Sequence, residues 1–331
     1  MTETTEKKCI ALATSIKAQY KVDTQDKTVN SKVKRDKAAK NITLRQAIDK
    51  YIESRDNVLS PSTVRGYTKI RDLRFAGVID DKLDDIRDWQ AVCNAESALC
   101  SAKTLKNAWG LIGSVLRYNG RAAPIVTLPQ VVAKDLPWLE PEQISAFMDA
   151  IYGDICEIHI LLALHGLRRS EVCALTSWDK IDLKKRLLTI SGAVVYGKDG
   201  KRVKKDTNKN VSSRRVVPII IPRLLHLLKQ TKKAEGQIRD YHPDTIYKHV
   251  AKACATCGLP NVGIQGLRRS FASLCYHLKL SERETMELGG WEDPATMRKI
   301  YIHLAKRDKL NAQKKLTGFF KLANGNANGA K

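Results

Sequence analysis

Two copies of one short box place a guanidinium two residues after a glycine: Gly166-Leu167-Arg168-Arg169-Ser170-Glu171 and Gly266-Leu267-Arg268-Arg269-Ser270. Guanidinium is planar, permanently charged and bidentate toward phosphate. Two of them, Arg168 and Arg268, could neutralise a phosphodiester and then the five-coordinate state it passes through. Glu171 stands three residues after Arg168, on the same helical side, where a carboxylate can support the arginine. Further on comes Gly289-Gly290-Trp291-Glu292-Asp293-Pro294, with Tyr301 seven residues beyond the proline. An indole N–H can only donate a hydrogen bond, and a phenol can act as a nucleophile. By itself this corner reads as two helices meeting around a packed tyrosine. The two arginine boxes turn it towards phosphoryl chemistry.

The chain has no HExxH, no DxDxDG loop and no clustered carboxylates, so such chemistry would lean on arginine rather than on a divalent ion. Cys254 and Cys257 form a lone CxxC, without a second pair or a histidine at ligand spacing, and read as helix packing. The eight cysteines are scattered, as expected of free thiols in a reducing interior. Lys and Arg number 58 against 35 Asp and Glu, a net charge of +23 that points to a nucleic acid or another polyanion. No run of about 18 apolar residues is present, so no membrane span is expected. The polar start has no secretory signal core.

Periodicity gives the elements that must hold these groups. Residues 1–41 are basic and polar; the piece from Cys9 to Tyr20 could be helical, and the rest reads as a flexible segment. Residues 42–120 form a bundle of about four amphipathic helices. Their starts are Thr43, Ser60-Pro61, Asp88-Trp89 and Ser101, all good capping chemistry. Arg65, Lys69, Arg71, Lys103, Lys106 and Arg117 make its outer faces basic, as either a solvated surface or a DNA contact. Residues 121–137, with Pro124, Pro129 and Pro137, are a linker. Residues 138–303 mix helices with three strands, Leu187–Ile190, Ala193–Tyr196 and Val216–Ile221. A basic stretch including Lys201, Lys204, Lys205, Lys209, Arg214 and Arg215 leads into the third strand. A tail at 304–331 starts with a helix from Leu304 to Leu322 and ends in a low-complexity, disordered piece.

Taken in order, the boxes resemble the tyrosine recombinase (phage-type integrase) family over roughly residues 42 to 320. The Gly-Leu-Arg-x-Ser-Glu box corresponds to 166–171, the lysine before an Arg-x-x-Pro strand to Lys209, and the usual His-x-x-Arg to Gln265-Gly266-Leu267-Arg268. The Gly-Trp corresponds to Gly290-Trp291 and the Tyr-x-His to Tyr301-Ile302-His303. The resemblance implies two domains: an all-α, SAM-like core-binding bundle and a mainly α catalytic domain with a small three-stranded antiparallel sheet. It implies site-specific DNA recombination without metal or high-energy cofactor, with Holliday-junction strand exchange, in a mobile genetic element. Tyr301 would attack a phosphodiester to give a 3′-phosphotyrosine and a free 5′-hydroxyl. Arg168 and Arg268 would hold the phosphate, Glu171 would support them, Lys209 would be the general acid, and Trp291 and Gln265 would donate hydrogen bonds.

Lys201, Lys204 and Lys205 are rivals for the general acid, and Tyr241, Tyr247 and Tyr276 are rival phenols. DNA contacts are expected from Arg65, Lys69, Lys103, Lys106, Arg169, Arg214, Arg215 and Arg269. The implied partners are double-stranded recombination sites, a homotetramer on DNA and accessory bending or directionality proteins, in the nucleoid of a bacterial or phage-host cytoplasm. The tail helix could dock on a neighbouring protomer or pack in cis. Gln265 departs from the family's usual histidine or lysine: an amide binds phosphate but exchanges no proton near neutral pH. Two alternatives stand beside recombination: relaxation of supercoils by the same chemistry, and a catalytically weak or inactive DNA-binding regulator.

Overall fold

The structure is a computed structural model that describes residues 42–56, 58–132, 136–205, 214–297, 313 and 316–319. Among the expected features, the basic segment 1–41, Lys209, Tyr301, His303 and most of the tail lie outside the described residues. The chain divides into two compact units, residues 1–133 with 196–201, and residues 134–195 with 202–331.

Among the described residues of the first unit are four helices, α1 (Leu44–Glu53), α2 (Pro61–Leu73), α3 (Trp89–Ser97) and α4 (Ala102–Tyr118). Each start is satisfied by a side chain, as the sequence suggested. The Thr43 and Gln46 side chains form a capping box, Ser60 accepts from Thr63 N–H at 3.1 Å, Asp88 from Ala91 at 2.9 Å and Ser101 from Thr104 at 3.3 Å. Such caps satisfy amide donors that have no partner within the helix. Leu44, Ile48, Leu105, Ile112 and Leu116 are at most 2% exposed and, with Trp89 and Phe75, make the core. Phe75 sits at positive φ (56°), and its N–H donates to the buried Glu96 carboxylate at 2.8 Å. Arg74 donates to the same carboxylate at 3.0 Å, so a charge inside the bundle is paired.

The second unit is mostly helical with a small antiparallel sheet. It begins with α5 (Pro141–Ala150), α6 (Glu157–Leu164) and the short α7 (Arg169–Val172). Among the described residues five strands follow: β1 (Ile181–Asp182), β2 (Leu187–Ile190), β3 (Ala193–Tyr196), β4 (Arg202–Lys205) and β5 (Arg215–Pro218). Helices α8 (Pro222–Lys233), α9 (Pro243–Thr256), α10 (Gly263–His277) and α11 (Glu282–Gly289) come after the strands.

The three-stranded sheet exists, but its membership corrects the expectation. Its order is β1-β2-β5, with Leu188 opposite both Ile181 and Val217 and Ile190 opposite Arg215. Ala193–Tyr196 pairs instead with β4 in a separate two-stranded sheet. Gly192, at φ 80°, turns the chain between β2 and β3. β1 is too short, and Arg-Val-Lys-Lys in β4 too polar, to show a strand pattern. The third expected strand also ends early, at Pro218; Ile219 and Ile220 lie outside it, and Pro222 opens α8.

Helix α10 runs through the middle of this unit, with Ile264, Leu267, Phe271, Ala272 and Cys275 buried on it. A Cβ on Gly266 would lie 2.7 Å from the Pro137 carbonyl oxygen, so glycine permits the close approach of that strap. Ser270 holds the same strap, its Oγ accepting from Leu139 N–H at 2.7 Å. The sequence placed the second arginine box on this helix, and there it lies.

Candidate active site

The site grows from three backbone turns. Arg168 is the N-cap of α7. Its N–H donates to Glu171 Oε2 at 2.9 Å, and its Nη1 donates to Glu171 Oε1 at 2.8 Å. Box spacing thus makes one residue serve as cap and as ion-pair partner. Gly166, at φ 97°, precedes this turn, and a Cβ there would come within 2.8 Å of the Phe271 ring. Arg268 projects from α10, one turn after Gln265. Gly289 and Gly290 end α11, where Gly290 takes the left-handed conformation (φ 69°) that glycine favours. A Cβ on Gly289 would collide with the Trp291 ring.

These turns bring the two expected arginines together. Arg268 is 5% exposed; its Nη1 donates to Gly289 O at 2.6 Å and also to Gly166 O, and its Nη2 reaches Gly290 O at 3.4 Å. Arg168 Nη2 donates to the same Gly290 carbonyl. One carbonyl therefore joins both guanidinium groups. Trp291 lies over Arg268, with Cζ 3.9 Å from the ring centre. The indole also stacks on Phe271 (6.3 Å, 7°), and Phe271 in turn on His165 (6.5 Å, 4°). The ladder of rings fixes the plane against which Arg268 sits.

The electrostatics follow from burial. Loss of solvent pushes the Arg268 guanidinium down to about 9, with the nearby Arg168 charge adding to the effect. It remains cationic at neutral pH, as arginine does. Burial would raise the Glu171 carboxyl, but Arg215 and then Arg168 outweigh it and hold the group below its ordinary value. His165 is pushed down to about 4 by burial and is neutral near pH 7. Arg168, Arg215 and Arg268 face one carboxylate, leaving a local excess of positive charge suited to an oxyanion. A cavity of about 800 Å³ opens beside them, lined in part by Arg215, Met286, Gly290, Trp291 and Pro294.

The other expected residues are placed as follows. Gln265 is exposed in the first turn of α10. Arg65 on α2 is half-buried, while Lys69 on α2 and Lys103 and Lys106 on α4 are exposed. Arg169 and Arg214 are exposed, and Arg269 donates to Leu136 O at 3.4 Å. Arg215 departs from its expected role as a surface contact: its side chain is 9% exposed and forms a bidentate pair with Glu171. Strand alternation puts Arg215 on the inward face with Val217, a signal the sequence carried. Of the rival lysines, Lys201 and Lys204 are exposed. Of the rival phenols, Tyr247 accepts from Asn261 Nδ2 at 2.8 Å and Tyr241 packs on His159 with ring centres 5.3 Å apart. The chain is helical again from Pro294 to Met297, with Asp293 capping Ala295 and Thr296. Among the described residues no helix is long and apolar enough to cross a membrane.

Comparison with known proteins adds a family. The model described as the phage integrase family matches residues 137–308. The integrase of Salmonella phage P22 is 24% identical over 192 residues, which are 55% of this chain and 48% of that protein. The chain thus spans about half the length of that curated relative. The integrase of the Tn1549 transposon, solved in complex with transposon right end DNA, gives a TM-score of 0.65 at 16% identity, covering 82% of this chain and 99% of that one. A lambda integrase dimer bound to a COC′ core site gives 0.54 at 15%, covering 82% and 80%. At these identities the likeness to both structures is one of fold.

Proposed function

Because the chain belongs to the phage integrase family, we propose that it is a tyrosine site-specific recombinase, cutting and rejoining DNA through a 3′-phosphotyrosine link. The observation that carries this reading is the convergence of Arg168 and Arg268 on the Gly290 carbonyl, around the buried Glu171 and beneath Trp291.

Tyr301 attacks the scissile phosphorus, and the 5′-oxygen leaves. Arg168 and Arg268 hold the nonbridging oxygens as negative charge grows in the five-coordinate state. Trp291 and Gln265 add hydrogen-bond donors. Lys209 protonates the leaving oxygen, with Lys201, Lys204 and Lys205 as the alternative donors. Attack by the 5′-hydroxyl of a second strand reverses the step, so bond energy is conserved and no high-energy cofactor is required.

Around this chemistry, residues 42–120 act as the core DNA-binding domain and 138–303 as the catalytic domain, joined by the linker at 121–137. Lys69, Lys103 and Lys106, exposed on α2 and α4, support phosphate contacts by the first, as do Arg169 and Arg214 by the second. Strand exchange between two duplexes calls for four protomers on DNA, with accessory bending proteins, in the nucleoid of a bacterial or phage-host cell.

The test is a duplex nicked beside the cleavage position, carrying the site recovered by selecting bound sequences from a random library. The wild-type chain is expected to form a covalent protein–DNA adduct that survives denaturant and forms equally well in EDTA. Binding with no adduct would instead favour a non-catalytic regulator on this fold.

A further inference from the structure

We infer that Arg215 is a positioning residue for the phosphate-binding arginines and not a DNA contact. The inference rests on the recombinase reading above and extends it to a residue on the sheet.

Arg215 begins β5 and turns inward, its side chain 9% exposed. Its Nη1 donates to Glu171 Oε1 at 3.2 Å and its Nη2 to Oε2 at 3.1 Å. Glu171 also accepts the Arg168 side chain at 2.8 Å and the Arg168 N–H at 2.9 Å. A carboxylate offers about four lone-pair directions, so these four bonds saturate it. Arg168 is therefore aimed by a carboxylate that Arg215 holds from the other side.

The same guanidinium supports the third turn of the site. A Cβ on Gly290 would fall 2.5 Å from the Arg215 Cζ and Nη1, so the glycine backbone rests directly on it. The Gly290 carbonyl is the acceptor shared by Arg168 and Arg268. One side chain thus connects the acid behind the first arginine to the turn that holds both. A residue this buried is badly placed to touch the DNA backbone. A long cation inside a protein is strongly destabilising if left unpaired, and the geometry gives this one a partner that belongs to the site.

The experiment uses the full chain and the nicked duplex described above, with Arg215→Gln and Arg215→Lys. Adduct formation by Arg215→Gln should slow by ~10²-fold, the loss expected when reacting groups shift by about 1 Å, while its affinity for the duplex stays within about twofold of wild type. Arg215→Lys should fall between the two, since ammonium keeps the charge but not the bidentate fork. An unchanged rate for Arg215→Gln overturns the proposal. So does a loss of affinity as large as the loss of rate, which would make Arg215 a direct DNA contact.

A second readout needs no activity. The charged groups facing Glu171 are Arg168 from its own turn, Arg215 from β5 and Arg268 from α10, with neutral His165 beside Arg215. Glu171 is held below its ordinary value of 4.5. Stability from its pairing with Arg215 is thus present above that value and lost as pH falls through the lower folded-state value. The Tm gap between wild type and Arg215→Gln should be full near neutral pH and narrow on acidification. In a Glu171→Gln background the gap should not change over that range; a gap in the wild-type background that ignores pH overturns the pairing. If the wild-type chain forms no adduct, the recombinase reading fails, and the Tm comparison still decides whether Arg215 governs Glu171.

Discussion

Gln265 is the residue that most sets this site apart from the pattern it resembles. With Gln265 and Trp291 in place, neither corner of the phosphate site offers an imidazole. General acid–base participation is worth about 10²–10⁴-fold, so the lysine of the basic stretch has to supply proton transfer. Gln265→His is therefore expected to raise the rate of adduct formation by ~10-fold or more, well within that range. It should also add a pH dependence near the imidazole range, absent from the wild-type profile; rates at pH 5.5 to 8.5 decide this. Gly290 is a second test at this scale. Alanine would have to adopt φ 69° and put its methyl against Arg215. Gly290→Ala should lose about 1–3 kcal/mol in urea unfolding and slow cleavage, because the carbonyl shared by Arg168 and Arg268 must move. That Arg168, Glu171, Arg268 and Trp291 come together was legible in the sequence, because the ordered boxes group them. That both arginines meet on one carbonyl was not, since sequence motifs say nothing about which backbone oxygen accepts.

At the scale of elements, helix starts were the most legible feature. Thr43, Ser60, Asp88 and Ser101 each cap the helix that follows, because a short polar side chain before an apolar stripe satisfies amides the helix leaves open. Ser281 matters to the site: its capping box with Glu284 starts α11, whose far end is the Gly289-Gly290 turn. Ser281→Ala should cost about 1 kcal/mol of stability by denaturant titration, with a smaller effect on cleavage than Gly290→Ala. The sheet was less legible. Its pairing depends on contacts distant in sequence, and the two-residue β1 and the polar β4 give no local period. The burial of Arg215 was missed for the related reason that two adjacent arginines look alike in composition. Alternation separates them: Arg214 is exposed, while Arg215 shares the inward face with Val217.

For the whole molecule, a net charge of +23 sets the expected behaviour toward DNA. Binding should weaken linearly in log–log terms as salt rises, through release of counterions. Lys69→Ala or Lys103→Ala should each reduce that slope by about 1 without changing which sequence is preferred; binding isotherms at several salt concentrations measure this. The charge named a partner class from composition alone, and only the ordered boxes named a chemistry. Above all, Tyr301 is expected to become covalently joined to DNA beside the Arg168–Arg268 cluster. The most direct measurement is peptide mapping by mass spectrometry of the adduct trapped on the nicked duplex, for wild type and Tyr301→Phe. The expected result is a nucleotide phosphate on the peptide containing Tyr301, and no adduct from the phenylalanine variant. A modified Tyr241, Tyr247 or Tyr276, or an adduct that persists in Tyr301→Phe, would contradict it.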